Sequence, residues 1–89
     1  MIKLEAVGSK GDCRLLLGFS DGTAGVYDFA PFVEMATEMT APLVDPVFFA
    51  RHFIEFGALA WPNGFDLSAE SLRRRLEDTG GLRRDAEAA

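Results

Sequence analysis

The period of apolar positions changes along the chain, and each change marks an element. Residues 2–7 alternate weakly between apolar and polar and predict a first strand. Ser9-Lys10-Gly11-Asp12 is a turn cluster. Residues 13–20, Cys-Arg-Leu-Leu-Leu-Gly-Phe-Ser, predict a second strand, and residues 23–29 a third. Between them stands Asp21-Gly22, the strongest short hairpin signal in the chain. A two-residue turn there would set Leu17 opposite Val26 and Leu15 opposite Asp28 on one side. Leu16 would then face Tyr27 on the other side, with Gly18 opposite Gly25. A facing glycine pair weakens a sheet, and implies a sharp bend or a close approach of another element.

The period then lengthens. Residues 31–40 predict a helix opened by Pro31, with Phe32, Met35, Ala36 and Met39 on one face and Pro42 ending it. Asp45-Pro46 predicts a second helical turn, with Asp45 as N-cap and Phe49 and Phe53 on one face. Residues 53–61 predict a bent strand or short hairpin, and Pro62-Asn63-Gly64 a tight turn. Residues 68–78 make the best helix, with a Ser68 cap, a Leu72/Leu76 stripe and a Gly80-Gly81 stop. Glu70 with Arg74, and Arg74 with Asp78, stand four apart on its outer face. The sum is an α+β fold: a small antiparallel sheet with a central hairpin and two or three short helices packed on it. Residues 2–80 are expected to form a single domain and residues 81–89 a frayed tail.

Composition narrows the function classes. Of 89 residues, 48% are hydrophobic and eight are Phe, enough for one aromatic-rich core. The formal charge is −5. It belongs to residues 1–67, which carry nine acids and four bases; residues 68–89 carry five of each. A polyanion repels phosphate, so neither direct nucleic-acid binding nor an anionic membrane surface is expected. No apolar run reaches the ~18–20 residues of a membrane span, and the N-terminus has no signal-peptide layout. With one cysteine, Cys13, the composition suits a reducing, cytoplasmic setting.

Candidate chemistry is sparse. His52 and Cys13 are the only residues of their types and cannot build a His- or Cys-rich zinc site. The serines fall at turns and helix starts, with no nucleophile elbow, and there is no phosphate-cradling glycine loop. No cofactor is implied. Asp28, placed across from Leu15 by the expected register, could be a desolvated base or a cap at a strand end. Trp61 to Asp66 reads either as a surface patch of aromatic plate and carboxylate, or as a corner. In the corner, Trp61 enters the core and Asp66 binds free N–H groups at the next helix start. Arg73, Arg74 and Arg75 read as an ion-paired helix face or an anion contact.

Three stretches, taken in order, resemble a bacterial family, the domain of unknown function 2442 family. They are Phe19-Ser20-Asp21-Gly22-Thr23, the segment from Leu43 to Phe49 with its Asp45-Pro46, and Trp61-Pro62-Asn63-Gly64-Phe65-Asp66-Leu67. The resemblance spans roughly residues 2–76 and implies a small α+β domain. It brings no established activity and no catalytic residues. Members stand alone, sometimes encoded beside another small protein, and some are fused to a helix-turn-helix domain.

The function expected is a non-catalytic protein-interaction module, with another protein as partner. A more specific alternative is an acidic mimic of nucleic acid that occupies the groove of a basic DNA- or RNA-binding machine, as phage inhibitors of CRISPR complexes do. A small enzyme using Asp28 or Asp66 as base is the third reading. The expected contact residues are Asp12, Asp21, Glu34 and Glu38 as a steering rim, with Phe65 and Asp66 as further candidates, Phe65 as an apolar contact if steering by charge fails.

Overall fold

The computed structural model describes residues 1–84. The fold is α+β, with two antiparallel sheets where the pattern predicted one. The larger sheet contains β1 (Leu4–Gly11), β2 (Arg14–Phe19), β3 (Thr23–Asp28) and β7 (Arg83–Arg84), in that spatial order. The smaller has β4 (Phe53–Glu55), β5 (Ala58–Ala60) and β6 (Asp66–Leu67). Helices α1 (Ala30–Met35) and α2 (Pro46–Phe49) lie between the sheets in sequence, and α3 (Ala69–Thr79) precedes β7. The two sheets are stitched where the Leu4 N–H donates to the Gly57 carbonyl at 2.8 Å.

The Asp21-Gly22 turn is present, but its register differs from the expected one. Gly18 pairs with Ala24, Leu17 with Gly25, Leu16 with Val26, Leu15 with Tyr27 and Arg14 with Asp28. The loop has three residues, Ser20 to Gly22. The Gly22 N–H donates to the Phe19 carbonyl at 3.1 Å, and Gly22 takes a φ of 83°. This is a tight turn followed by a left-handed glycine, the usual three-residue hairpin loop. The Asp21 carboxylate locks it by accepting from the Thr23 N–H at 3.1 Å and the Thr23 hydroxyl at 2.5 Å. One extra loop residue shifts the pairing by one, and a shift of one exchanges the faces of a strand. Val26 therefore lies outside with Leu16, while Leu15, Leu17 and Phe19 share the buried face with Tyr27 and Gly25.

The facing glycine pair does not occur, yet the close approach it implied is found at Gly25. A Cβ added there would stand 2.5 Å from the Gly81 carbonyl oxygen and 3.1 Å from a Leu76 methyl. Helix α3 packs onto the sheet at this point. Cys13, expected inside β2, instead occupies the β1–β2 turn with Asp12, at φ values of 63° and 50°. A two-residue hairpin turn demands that left-handed backbone.

Helix α1 is shorter than predicted. It stops at Ala36, which is left-handed at a φ of 50°. Thr37 and Thr40 then satisfy each other. The Thr37 N–H donates to the Thr40 hydroxyl oxygen at 2.9 Å, and the Thr40 N–H to that of Thr37 at 3.1 Å. Such local bonds compete with the helix ladder, and they leave Met35 and Met39 exposed. Asp45 caps α2 as expected, accepting from the Val47 N–H at 3.0 Å. Phe49 and Phe53 do not share a helix face: Phe49 is buried, whereas Phe53 opens β4 and is 40% exposed. Residues 53–60 form the short hairpin, closed at Phe56-Gly57. Ser68 caps α3 through the Ser71 N–H, and left-handed Gly80 ends it. The frayed tail expected from residue 81 is not found over residues 83–84, where Arg83 and Arg84 pair with Ala24 and Thr23. Residues 85–89 lie outside the described residues.

The core is aromatic, with Phe29 at its centre. Its ring lies 4.8 Å from Tyr27, 6.1 Å from Phe32, 5.7 Å from Phe49 and 5.8 Å from Trp61. Trp61 is 1% exposed, and its indole N–H donates to the Phe49 carbonyl at 3.0 Å. Burying so large a ring with its one polar atom satisfied is strongly favourable.

Three outcomes follow from this packing. Trp61→Ala should cost about 3–5 kcal/mol in urea unfolding, the usual range for a core aromatic, and wild-type tryptophan emission should be blue-shifted and protected from quenchers. Gly25→Ala should cost about 1–3 kcal/mol by overpacking. Gly18→Ala, whose new methyl meets the Ala6 Cβ at an ordinary 3.4 Å, should unfold close to wild type.

Candidate functional site

The structure scatters the six expected contact residues. Asp12 and Asp21 lie at opposite ends of β2, about 20 Å apart at the usual rise of a strand. Asp21 is not a free rim carboxylate. Besides Thr23 it accepts from the Arg73 Nε at 2.8 Å, which ties the hairpin turn to α3. The Thr23 hydroxyl above all holds its carboxyl below the ordinary carboxylate range; burial opposes it, and the Thr23 N–H and the Arg73 guanidinium add to the lowering. Glu34 is exposed on α1, and Glu38 is exposed in the Thr37–Thr40 turn beyond that helix. Phe65 is half-buried, stacked on Trp61 at 5.6 Å and edge-on to Phe32 at 5.8 Å. Asp66 is exposed in β6 opposite Ala60 and does not cap α3, because Ser68 does.

The Trp61 to Asp66 segment is thus a corner. Gly64 closes the turn onto the Trp61 carbonyl at 3.0 Å. Asn63 clamps it, accepting from the Phe65 N–H at 3.1 Å and donating to the Met39 carbonyl at 3.0 Å. Of the two readings of Asp28, desolvated base and strand-end cap, the register supports the cap. Asp28 faces Arg14 on the exposed side and accepts from the Ala30 N–H at 2.9 Å, the capping role at a strand end. The arginines of α3 are also engaged differently. Arg73 reaches Asp21 and, at 3.8 Å, Glu77, while the Arg75 guanidinium lies 4.7 Å over the Phe32 ring. Among the described residues neither expected Arg74 pair forms.

Two of the surface features bear on function. The first is a cleft of about 410 Å³ between the β1–β2 turn and α2, with Asp12, Cys13 and His52 in its wall. It brings the single cysteine and the single histidine to one space. The His52 Nδ1 is held at 3.1 Å from the Phe49 carbonyl, and among the described residues no hydrogen bond joins it to the thiol. Nor do the described residues contain a cluster of three or more His, Cys, Asp or Glu able to hold a metal ion.

The second feature is the outer face of the larger sheet. Cross-strand rows define it. Ala6, Gly18, Ala24 and Arg83 form one row; Gly8, Leu16 and Val26 the next; Gly11, Arg14 and Asp28 the last. Leu16 is 39% and Val26 43% exposed. Two adjoining depressions, of about 460 and 310 Å³, share Leu16 and Ala24. The solvated face of an antiparallel sheet is ordinarily polar, whereas the middle of this one is Ala, Gly, Leu and Val. Its charged residues stand at the margins. Lys10 comes from β1, Arg14 from β2 and Arg83 from β7; Asp28 is the one carboxylate among these rows, and it faces Arg14. A chain of net charge −5 therefore carries a locally basic apolar face. Sequence reasoning missed it because the expected register placed Val26 on the buried side. The readable signal was Gly22 as the third residue of a loop.

No helix among the described residues is long and apolar enough to cross a membrane. No curated protein and no solved structure matches the chain. Residues 4–78 do match a family model, including all of the Trp61 to Leu67 corner, and the chain belongs to the family described as protein of unknown function (DUF2442).

Proposed function

We propose that this protein is a non-catalytic interaction module that docks another protein on the outer face of its larger sheet. The observation that carries this reading is the apolar character of a face left open to water. Leu16 and Val26 stand side by side with Ala and Gly around them. Apolar area of this kind is favourable to bury, at roughly 25 cal/mol per Å², and contiguous exposed apolar patches mark interaction sites more often than bare surface. The two other readings have less support. A mimic of nucleic acid needs an array of free carboxylates, yet Asp21 is paired with Arg73 and Asp12 lies at the other end of β2. A carboxylate base in an apolar pocket needs burial, and both Asp28 and Asp66 are exposed.

The test is affinity capture from the source cell with wild-type protein, with Leu16→Asp/Val26→Asp, and with Glu34→Lys/Glu38→Lys as a control. The control should stay folded, because exposed substitutions usually shift stability by under about 0.5 kcal/mol. The open-face variant sets two carboxylates directly across a strand pair, so its cooperative unfolding is checked by circular dichroism before capture. One dominant protein should be retained by the wild type and the control and lost by the open-face variant. Equal retention by the open-face variant would place the contact elsewhere and reject the proposal.

A further inference from the structure

The charge around the open face points to the chemistry of its occupant. Resting on the interaction reading above, we infer that this face receives an acidic amphipathic helix of a partner protein.

Width is the first argument. The apolar rows cross β1, β2 and β3, three strands spaced about 4.8 Å apart, so the floor is about 10 Å wide. That is the diameter of one α-helix with its side chains, about 10–12 Å. Relief is the second. Ala6, Gly8, Gly18 and Ala24 make the floor low, and only Leu16 and Val26 rise from it. A helix can settle close to the strands, with apolar side chains spaced three and four residues apart on either side of that ridge.

Charge is the third argument. Lys10 stands at the β1 margin, Arg83 at the β7 margin and Arg14 in the end row, all exposed. Carboxylates on the flanks of a docked helix would meet them at the rim, where charge governs encounter rate and partner choice.

The same features disfavour other occupants. Two copies joined through this face would bring both sets of Lys10, Arg14 and Arg83 together. An added strand would seek a sheet edge, not a face, and the outer edge of β3 is already paired with β7. A nucleic acid would find cations but none of the aromatic rings on which single strands stack, on a molecule of net charge −5.

The experiment selects random peptides displayed on phage against the immobilised full chain. The winners are synthesised and mapped by amide chemical shifts on isotope-labelled protein. The expected winners are acidic, become helical on binding, and perturb Gly8, Leu16, Gly18, Ala24 and Val26. Their affinity should weaken with rising salt, as charge at a solvated rim requires. Lys10→Glu/Arg83→Glu should lower affinity about tenfold and, in a repeated selection, turn the preference toward basic peptides. Winners that map to this face but are neutral or basic would overturn the inference and leave the interaction reading standing. Winners that map elsewhere, or that bind Leu16→Asp/Val26→Asp as well as wild type, would overturn both. Displacement of the peptides from this face by duplex DNA or RNA would overturn the choice of a protein partner.

Discussion

The fold depends on one buried contact, the Trp61 indole donating to the Phe49 carbonyl among packed aromatic rings. Trp61 follows β5, Phe49 ends α2, and Phe29 follows β3. The contact therefore joins the small sheet, a helix of four residues and the end of the central hairpin. None of these pieces is stable alone. Helices of four and six residues lie far below the ~12–15 that a free helix needs, and a three-residue hairpin is no better placed. They exist because their aromatic residues share one desolvated space. The second stitch, Leu4 to Gly57, fixes where the two sheets meet.

Concentrating the core in this way has a consequence for the surface. Leu15, Leu17, Phe19 and Tyr27 all turn one face of the larger sheet toward the aromatic cluster, and Leu72 and Leu76 of α3 join them there. Gly25 admits the approach of α3 by having no side chain. A chain this short buries only about 60–65% of its unfolded surface. Little is left to cover the opposite face, and Leu16 and Val26 stay in water.

Electrostatics follows the same division between whole and part. The net charge of −5 describes long-range repulsion from other polyanions, and it says little about one patch of surface. Carboxylates are drawn into turns and caps, as Asp21, Asp28 and Asp45 show. Lys10, Arg14 and Arg83 gather at the margins of the open face. The contact chemistry inferred for the face runs opposite in sign to the composition.

What the sequence by itself determined are features whose cause lies within a few residues. The Asp21-Gly22 reversal, the Asp45-Pro46 helix start, and the Ser68 cap and Gly80 stop of α3 are all of this kind, whereas Trp61 to Leu67 could be read as patch or corner until its packing was known. Each of these local features rests on a side chain bonding to nearby backbone or on a glycine accepting positive φ, and the first two lie within stretches that carried the family resemblance. Tertiary structure decided what depends on distant partners. The hairpin loop could hold two residues or three on local grounds. Arg73 of α3 holds the longer loop through Asp21, and Leu76 packs into the space above Gly25. That choice sent Val26 outward and created the open face. The pairing of Arg83 and Arg84 with β3 was likewise outside local reach. An edge strand pairs according to what lies beside it, and periodicity along a chain carries no record of that.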